Sequence, residues 1–218
     1  MTLRLDPDPR FAQERIFAEL RRKLDRVAPP PDARDVVSDP FIEEEELKSF
    51  ALQESARAAA VLIGLVAHED GVGVLLTRRS ATLRVHAGQI AFPGGRIEPE
   101  DAGPVGAALR EAREEIGLDP GRVEPLGFLA PYVTGTGFRV APVVARIVPP
   151  LELDLNPHEV ESVFEAPFAF LMDAANHLID TREFGGRLRR FQAMAYGEHY
   201  IWGATAGMLR NLYERLYL

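Results

Sequence analysis

Residues 94–118, GGRIEPEDAGPVGAALREAREEIGL, decide the interpretation of the whole chain. Two glycines open this stretch, and a helix is predicted after them, from Pro104 to Ile116. Proline suits the first turn of a helix, where its missing N–H has no partner to lose. Gly117 suits the left-handed residue that follows a helix C-terminus. Apolar residues recur between these signals at helical spacing and form one buried face: Val105, Ala108, Leu109, Ala112 and Ile116.

The polar side of the same helix is acidic. Glu111, Glu114 and Glu115 are three and four residues apart, so they share a face and repel one another. They also lie in the last turns, where the helix dipole disfavours anions. A divalent cation would reverse both penalties, and carboxylate oxygens suit Mg²⁺ or Mn²⁺. The alternative is a solvated acidic face on which Glu114 pairs with Arg110.

The spacing in residues 110–118, REAREEIGL, resembles the Nudix box, G-x5-E-x7-R-E-U-x-E-E-x-G-U, where U is aliphatic. One residue is inserted after Gly95, and the first acid of the box becomes Asp101. The resemblance implies that Arg110 holds the glutamates by ion pairs. It leaves the general base open between Glu111, Glu114 and an acid from a later loop. The implied ligands for Mg²⁺ or Mn²⁺ are Glu111, Glu114, Glu115 and the backbone of Gly95.

Residues 75–95, LLTRRSATLRVHAGQIAFPGG, carry a second and more specific motif. They are similar to the additional signature of the coenzyme A pyrophosphatase branch of Nudix hydrolases, L-L-T-x-R-[ST]-x3-R-x-H-x-G-[QE]-[IV]-x-F-P-G-G. The one-residue insertion after the glycine pair is usual in that branch. The resemblance implies hydrolysis of coenzyme A (CoA) or acyl-CoA to 3′,5′-ADP and 4′-phosphopantetheine. The implied substrate-binding residues are Arg79, Arg84, His86, Gln89, Gly94 and Gly95.

Residues 156–165, NPHEVESVFE, begin with turn-forming residues and offer the later acid. Glu159 is the first candidate to complete the metal site or to act as the general base, and Glu161 is the second. The alternative is that these charges only mark the start of a helix near Pro157.

The implied architecture is α/β, the Nudix fold, in which a mixed β-sheet is sandwiched between helices (α/β/α). Residues 1–50 are expected to be an N-terminal helical extension and linker, and residues 51–218 the Nudix hydrolase domain. A helix from Pro9 to Val27 is predicted in the extension. The predicted strands are 58–67 and 72–77, joined as a hairpin, then 123–130, 139–148 and 191–200, with an apolar helix at 166–172 and a last helix that Trp202 opens.

The composition limits the classes of function. A formal net charge of −8 argues against nucleic-acid binding by bulk electrostatics. The chain has no cysteine, which excludes thiol chemistry and zinc–thiolate sites. We find no run of transmembrane length and no signal-peptide core, so we expect a cytoplasmic protein with a small-molecule substrate and no membrane partner. The sequence leaves open whether the protein forms a homodimer.

Three hypotheses follow for function. The first is the coenzyme A pyrophosphatase described above. The second is a Nudix pyrophosphatase for another nucleoside diphosphate derivative, such as ADP-ribose or NADH. The third is a non-catalytic regulatory module with the Nudix fold, against which the complete Glu111, Glu114 and Glu115 set argues.

Overall fold

The structure, a computed structural model, describes residues 12–30, 36–38, 57–184 and 187–218. The helices in these ranges are α1 Gln13–Lys23, α2 Gly103–Ile116, α3 Phe168–Leu171 and α4 Ala204–Tyr217. The strands are β1 Val37–Ser38, β2 Arg57–His68, β3 Gly71–Arg79, β4 Ile90–Ala91, β5 Gly94–Arg96, β6 Val123–Phe128, β7 Tyr132–Val133, β8 Phe138–Ile147, β9 Val160–Pro167, β10 Leu178–Phe184, β11 Arg187–Tyr196 and β12 His199–Trp202.

Strands β1 to β9 form one mixed sheet. Strand β2 runs antiparallel to β3 and parallel to β8, and β9 lies antiparallel along β3. Strands β10, β11 and β12 form a separate antiparallel sheet of three strands. The predicted hairpin of β2 and β3 is confirmed, with its turn at residues 69–70.

Apolar side chains cover both faces of the large sheet. On one face, Leu62 and Leu75 pack with Ala112 of α2. On the other face, Leu65 packs with Leu20 of α1 and Leu209 of α4. Alternate residues of a strand point to opposite faces, which is why one strand serves both layers. The α/β/α sandwich is therefore confirmed.

Helix α2 begins one residue earlier than predicted and ends at Ile116 as predicted. Gly117 follows it in the left-handed region, with φ of 68°. The buried face is slightly rotated from the prediction, since Ala107 is fully buried while Leu109 is half-buried. This rotation brings Glu115, the last acid of the helix, toward the sheet.

Two predicted helices differ from the structure. Residues 160–167 form strand β9, and only Phe168–Leu171 are helical, because pairing with β3 satisfies the backbone up to Pro167. Helix α1 ends at Lys23 and not at Val27, since the chain turns there and Asp25 bridges to Phe128 of β6. Residues 1–11 and the proposed boundary at residue 50 lie outside the described residues. None of the helices within the described ranges has the length and apolar composition needed to cross a bilayer.

Candidate active site

The glycine pair brings the backbone of β5 against helix α2. Strand β5 pairs with the start of β2, placing Gly95 opposite Ala60 and Gly94 opposite Val61. A Cβ on Gly94 would overlap the carbonyl of Ala60, and a Cβ on Gly95 would overlap the Glu111 carboxylate. Because glycine has no Cβ, Gly94 can pack against β2 and Gly95 can lie directly against the Glu111 carboxylate.

Glu115 is the most enclosed acid of the site, with only 3% of its surface exposed. Its Oε2 accepts a hydrogen bond of 3.2 Å from the Gly94 N–H, and its Oε1 lies 3.9 Å from Arg79 Nη1. Burial raises the pKa of Glu115 to about 7, and the nearby charges of Glu111 and Glu159 act in the same direction. The Gly94 N–H and Arg79 oppose this shift without cancelling it.

Arg110 connects three acids, Asp101 before helix α2 and Glu111 and Glu114 within it. Its Nε and Nη2 donate to the two oxygens of Asp101 over 2.9 and 3.0 Å. Its Nη1 donates to Glu111 and to Glu114, each over 3.0 Å, and Nη2 also reaches the carbonyl of Arg96. Asp101 and Glu111 raise the pKa of Arg110, and the guanidinium in turn lowers the pKa of Asp101. Asp101 therefore holds Arg110, a role that counting along the sequence did not reveal.

Glu111 and Glu159 approach one another from different elements. Burial raises the pKa of Glu111, against the effect of Arg110, and the charges of Glu114 and Glu159 raise it further. Glu159 precedes β9, and its Oε1 accepts a hydrogen bond of 3.0 Å from Asn156 Nδ2. The sequence interpretation missed Asn156, although its position three residues before Glu159 at a turn was a usable signal.

Two other acids lie further from this group. The side chain of Glu114 is 56% exposed and reaches the group through Arg110. Glu161 is exposed at a bulge, where Arg78 pairs with Ser162 and Arg79 with Val160, so that no residue of β3 lies opposite Glu161.

The donor set fits a divalent cation in its chemistry. It combines clustered carboxylates, a buried Glu115 whose raised pKa a cation would lower, and a glycine backbone against Glu111. Across the residues that the structure describes, no three acidic or histidine side chains already converge at ligand distance. Arg110 Nη1 bonds Glu111 and Glu114, so a cation would compete with Arg110 for them.

Of the predicted substrate-binding residues, Arg84, His86 and Gln89 lie in the loop between β3 and β4, Arg79 ends β3, and Gly94 and Gly95 lie in β5. The N–H of Arg79 donates to the carbonyl of Gln89, and the N–H of Gly88 donates back to Arg79, which closes the loop at its base. His86 has a left-handed φ of 59°, and its Nδ1 lies 2.9 Å from Gln89 Oε1. The side chain of Arg84 is exposed, and no hydrogen bond or ion pair is recorded for it within the described residues.

Comparisons with known proteins identify the family. The NUDIX domain matches residues 56–185. A relative from Citrobacter koseri, named "Uncharacterized Nudix hydrolase NudL", is 46% identical over 158 residues, covering 72% of this chain and 81% of the relative. Its namesake from Escherichia coli K12 is 43% identical over 157 residues, with the same two coverages. A solved MutT/nudix family protein from Enterococcus faecalis aligns with a TM-score of 0.48 and 17% identity, covering 78% of this chain and 68% of that one. Since the domain match covers more than half of the chain and both relatives exceed 40% identity, this chain belongs to the Nudix hydrolase family and is a hydrolase.

Proposed function

We propose that this protein hydrolyses the diphosphate bond of coenzyme A or acyl-CoA to 3′,5′-ADP and 4′-phosphopantetheine, with Mg²⁺ or Mn²⁺ as the cofactor. One contact supports this proposal above the others. Arg79, from the segment that resembles the coenzyme A pyrophosphatase signature, lies 3.9 Å from Glu115 of the acidic helix. This contact joins the segment that resembles the signature to the acidic helix, which supports a single site built from both. Nudix hydrolases in general use divalent metal ions.

The cofactor has a defined place in this proposal. Glu111, Glu114 and Glu115 would hold the cation, together with the backbone of Gly95. When bound, it would supply charge neutralisation for the diphosphate and make a water molecule more acidic. Arg110 positions Glu111 and Glu114, with Asp101 fixing its orientation.

Glu159 is our candidate for the general base. It is half-buried and close enough to raise the pKa values of Glu111 and Glu115. Its recorded side-chain hydrogen bond, within the described residues, is the one from Asn156. Glu111 and Glu114, in contrast, are engaged by Arg110. Glu159 therefore retains acceptor capacity for a proton from the attacking water.

We expect Arg79 and the residues of the loop between β3 and β4 to hold the phosphate groups of the substrate. We expect Arg79 to bind the diphosphate, because its guanidinium lies beside Glu115, one of the proposed metal ligands. Exposed Arg84 can add a second guanidinium, whose planar fork matches a phosphate. His86 and Gln89 brace the loop through their mutual contact.

Product analysis tests this proposal. The protein would be incubated with CoA, acetyl-CoA, ADP-ribose and NADH in the presence of Mg²⁺ or Mn²⁺, and the products separated by chromatography. We expect 3′,5′-ADP and 4′-phosphopantetheine from CoA, and no turnover after EDTA treatment. Turnover of ADP-ribose or NADH without turnover of CoA would replace our proposal with the second hypothesis.

A further inference from the structure

Two adjacent arginines of the signature segment serve opposite faces of the sheet. Arg79 points toward Glu115 of α2. Arg78 points the other way, as strand alternation requires, and its Nη2 donates to His199 Nδ1 on β12 over 3.3 Å. The segment therefore connects the acidic site with the small sheet of β10, β11 and β12.

A cleft of about 250 Å³ lies between this segment and the small sheet. Trp202 is only half-buried here and forms part of the wall. The lining residues are Arg78, Ala87, Gly88, Gln89, Ile90, Arg182, Glu198, Tyr200 and Trp202.

Each guanidinium group of the cleft contacts a ring, Arg78 that of His199 and Arg182 that of Trp202. The Arg182 guanidinium lies over the Trp202 ring, 5.2 Å from its centroid. Neither Arg78 nor Arg182 has a recorded ion pair within the described residues. Asp180, two residues from Arg182, accepts hydrogen bonds from the Tyr200 hydroxyl and the Thr181 N–H, and the charge of Arg182 helps to lower the pKa of Asp180. The charged side chains of the lining are two arginines and the exposed Glu198, so positive charge prevails in the lining although the whole chain carries −8.

His199 keeps Arg78 oriented without adding charge of its own. Its ring stacks on Phe164, with centroids 3.6 Å apart and an interplanar angle of 4°. Burial lowers the pKa of His199, and the charge of Arg78 lowers it further. A neutral imidazole can accept the Arg78 hydrogen bond at Nδ1. The cleft thus holds one arginine braced by histidine and another supported by an aromatic ring.

We propose that this cleft binds a phosphomonoester on the part of the substrate away from the cleaved bond, with Arg78 and Arg182 as its ligands. A guanidinium donates two parallel hydrogen bonds to a phosphate, which suits a cleft lined by two arginines. The volume is below the roughly 300–1,000 Å³ of sites for drug-sized ligands, so the cleft fits one end of a substrate. This inference rests on the proposed function, because the phosphomonoester of CoA is its ribose 3′-phosphate, which CoA carries in addition to the diphosphate that is cleaved.

The test compares CoA with 3′-dephospho-CoA in the variant Arg182→Gln. Arg182 is exposed, so the fold should survive. The ratio of kcat/KM for CoA to that for 3′-dephospho-CoA should fall about ten- to hundredfold, the loss expected for a charged hydrogen bond, mainly through KM. Arg182→Lys should restore part of the ratio, because it keeps the charge but not the fork.

A matched control removes the same charge elsewhere. Arg122 is exposed immediately before β6, outside the cleft lining, and Arg122→Gln should leave the ratio unchanged. An equal loss for both substrates in Arg182→Gln would mean that Arg182 only supports the structure. That result would overturn the proposal, and so would wild-type kcat/KM for both substrates in Arg182→Gln.

A binding measurement separates this inference from the proposed function. Calorimetry with 3′,5′-ADP and 5′-AMP needs no turnover of CoA, and wild type should prefer 3′,5′-ADP while Arg182→Gln should not. If wild type fails to hydrolyse CoA but keeps this preference, the proposed function fails and the cleft assignment stands. If 3′,5′-ADP instead changes turnover of 3′-dephospho-CoA without competing, the phosphate belongs to a separate effector and the cleft assignment is wrong.

Discussion

Both carboxylate oxygens of Asp101 bind Arg110, one through Nε at 2.9 Å and the other through Nη2 at 3.0 Å. This two-point pair leaves Nη1 free to bridge Glu111 and Glu114. The inserted residue after Gly95 therefore does not break the site, because an aspartate at position 101 reaches the arginine of the acidic helix.

The Arg110 bridge yields the first prediction. Arg110→Lys should lower kcat about tenfold or more and destabilise the fold by ~1–3 kcal/mol, since lysine lacks the planar fork that serves Asp101 and both glutamates together. Steady-state kinetics and urea unfolding measure the two effects. Arg113→Lys, an exposed neighbour on the same helix, is the control and should change neither. Wild-type kinetics in Arg110→Lys would show that the bridge is not needed.

The contact between Gly95 and Glu111 yields the second prediction. A Cβ at position 95 would overlap the Glu111 carboxylate and displace it. Gly95→Ala should therefore lower kcat by about two orders of magnitude, in the range of losses that follow misplacement of a catalytic group. Gly135→Ala is the control, because a Cβ there meets nothing within 4 Å. Similar activity in the two variants would contradict the close packing at Gly95.

The acids around β9 yield the third prediction. Glu159→Gln should lower kcat by about 10²–10⁴-fold, the usual contribution of a general base. Glu161→Gln removes the same charge two residues away, from an exposed bulge position, and should stay close to wild type. Asn156→Ala should fall between them, since it only orients Glu159. Equal effects at positions 159 and 161 would argue against Glu159 as the base.

The buried Glu115 yields the fourth prediction. Its pKa is about 7 in the fold against 4.5 for an ordinary glutamate, so the folded state binds the extra proton between these values. Stability of the metal-free protein should fall as pH rises from about 4.5 through 7, by at most about 3 kcal/mol from this residue. Glu115→Gln should flatten that decline in a series of melting temperatures taken in EDTA. A decline of unchanged slope in the variant would assign it to other groups.

Much of the fold was predictable because its signals are local. Pro104 and Gly117 mark the ends of α2 by their own backbone preferences, and the turn residues 69–71 between two apolar runs mark the hairpin of β2 and β3. Strand β9 was not predictable, since residues 160–167 are extended only because β3 offers a pairing edge. Such pairing joins residues that lie far apart along the chain and overrides local preference.

The residues of the site also divide into those that local sequence predicts and those that depend on contacts between distant parts of the chain. The spacing of Glu111, Glu114 and Glu115 was readable as one helix face. The pairing of Arg110 with Asp101 was not predictable, because it depends on how the chain between Gly95 and α2 folds back. Likewise, Arg182 reaches its cleft only through the pairing of three strands that have no distinctive motif.

The most direct test of the central claim is the ratio of kcat/KM for CoA to kcat/KM for ADP-ribose, measured on the wild-type protein with Mg²⁺. The proposed function predicts a ratio well above one, and Arg84→Ala should reduce CoA turnover because its exposed guanidinium lies in the signature loop. A ratio below one would contradict the assignment to coenzyme A and favour a pyrophosphatase for another nucleoside diphosphate derivative.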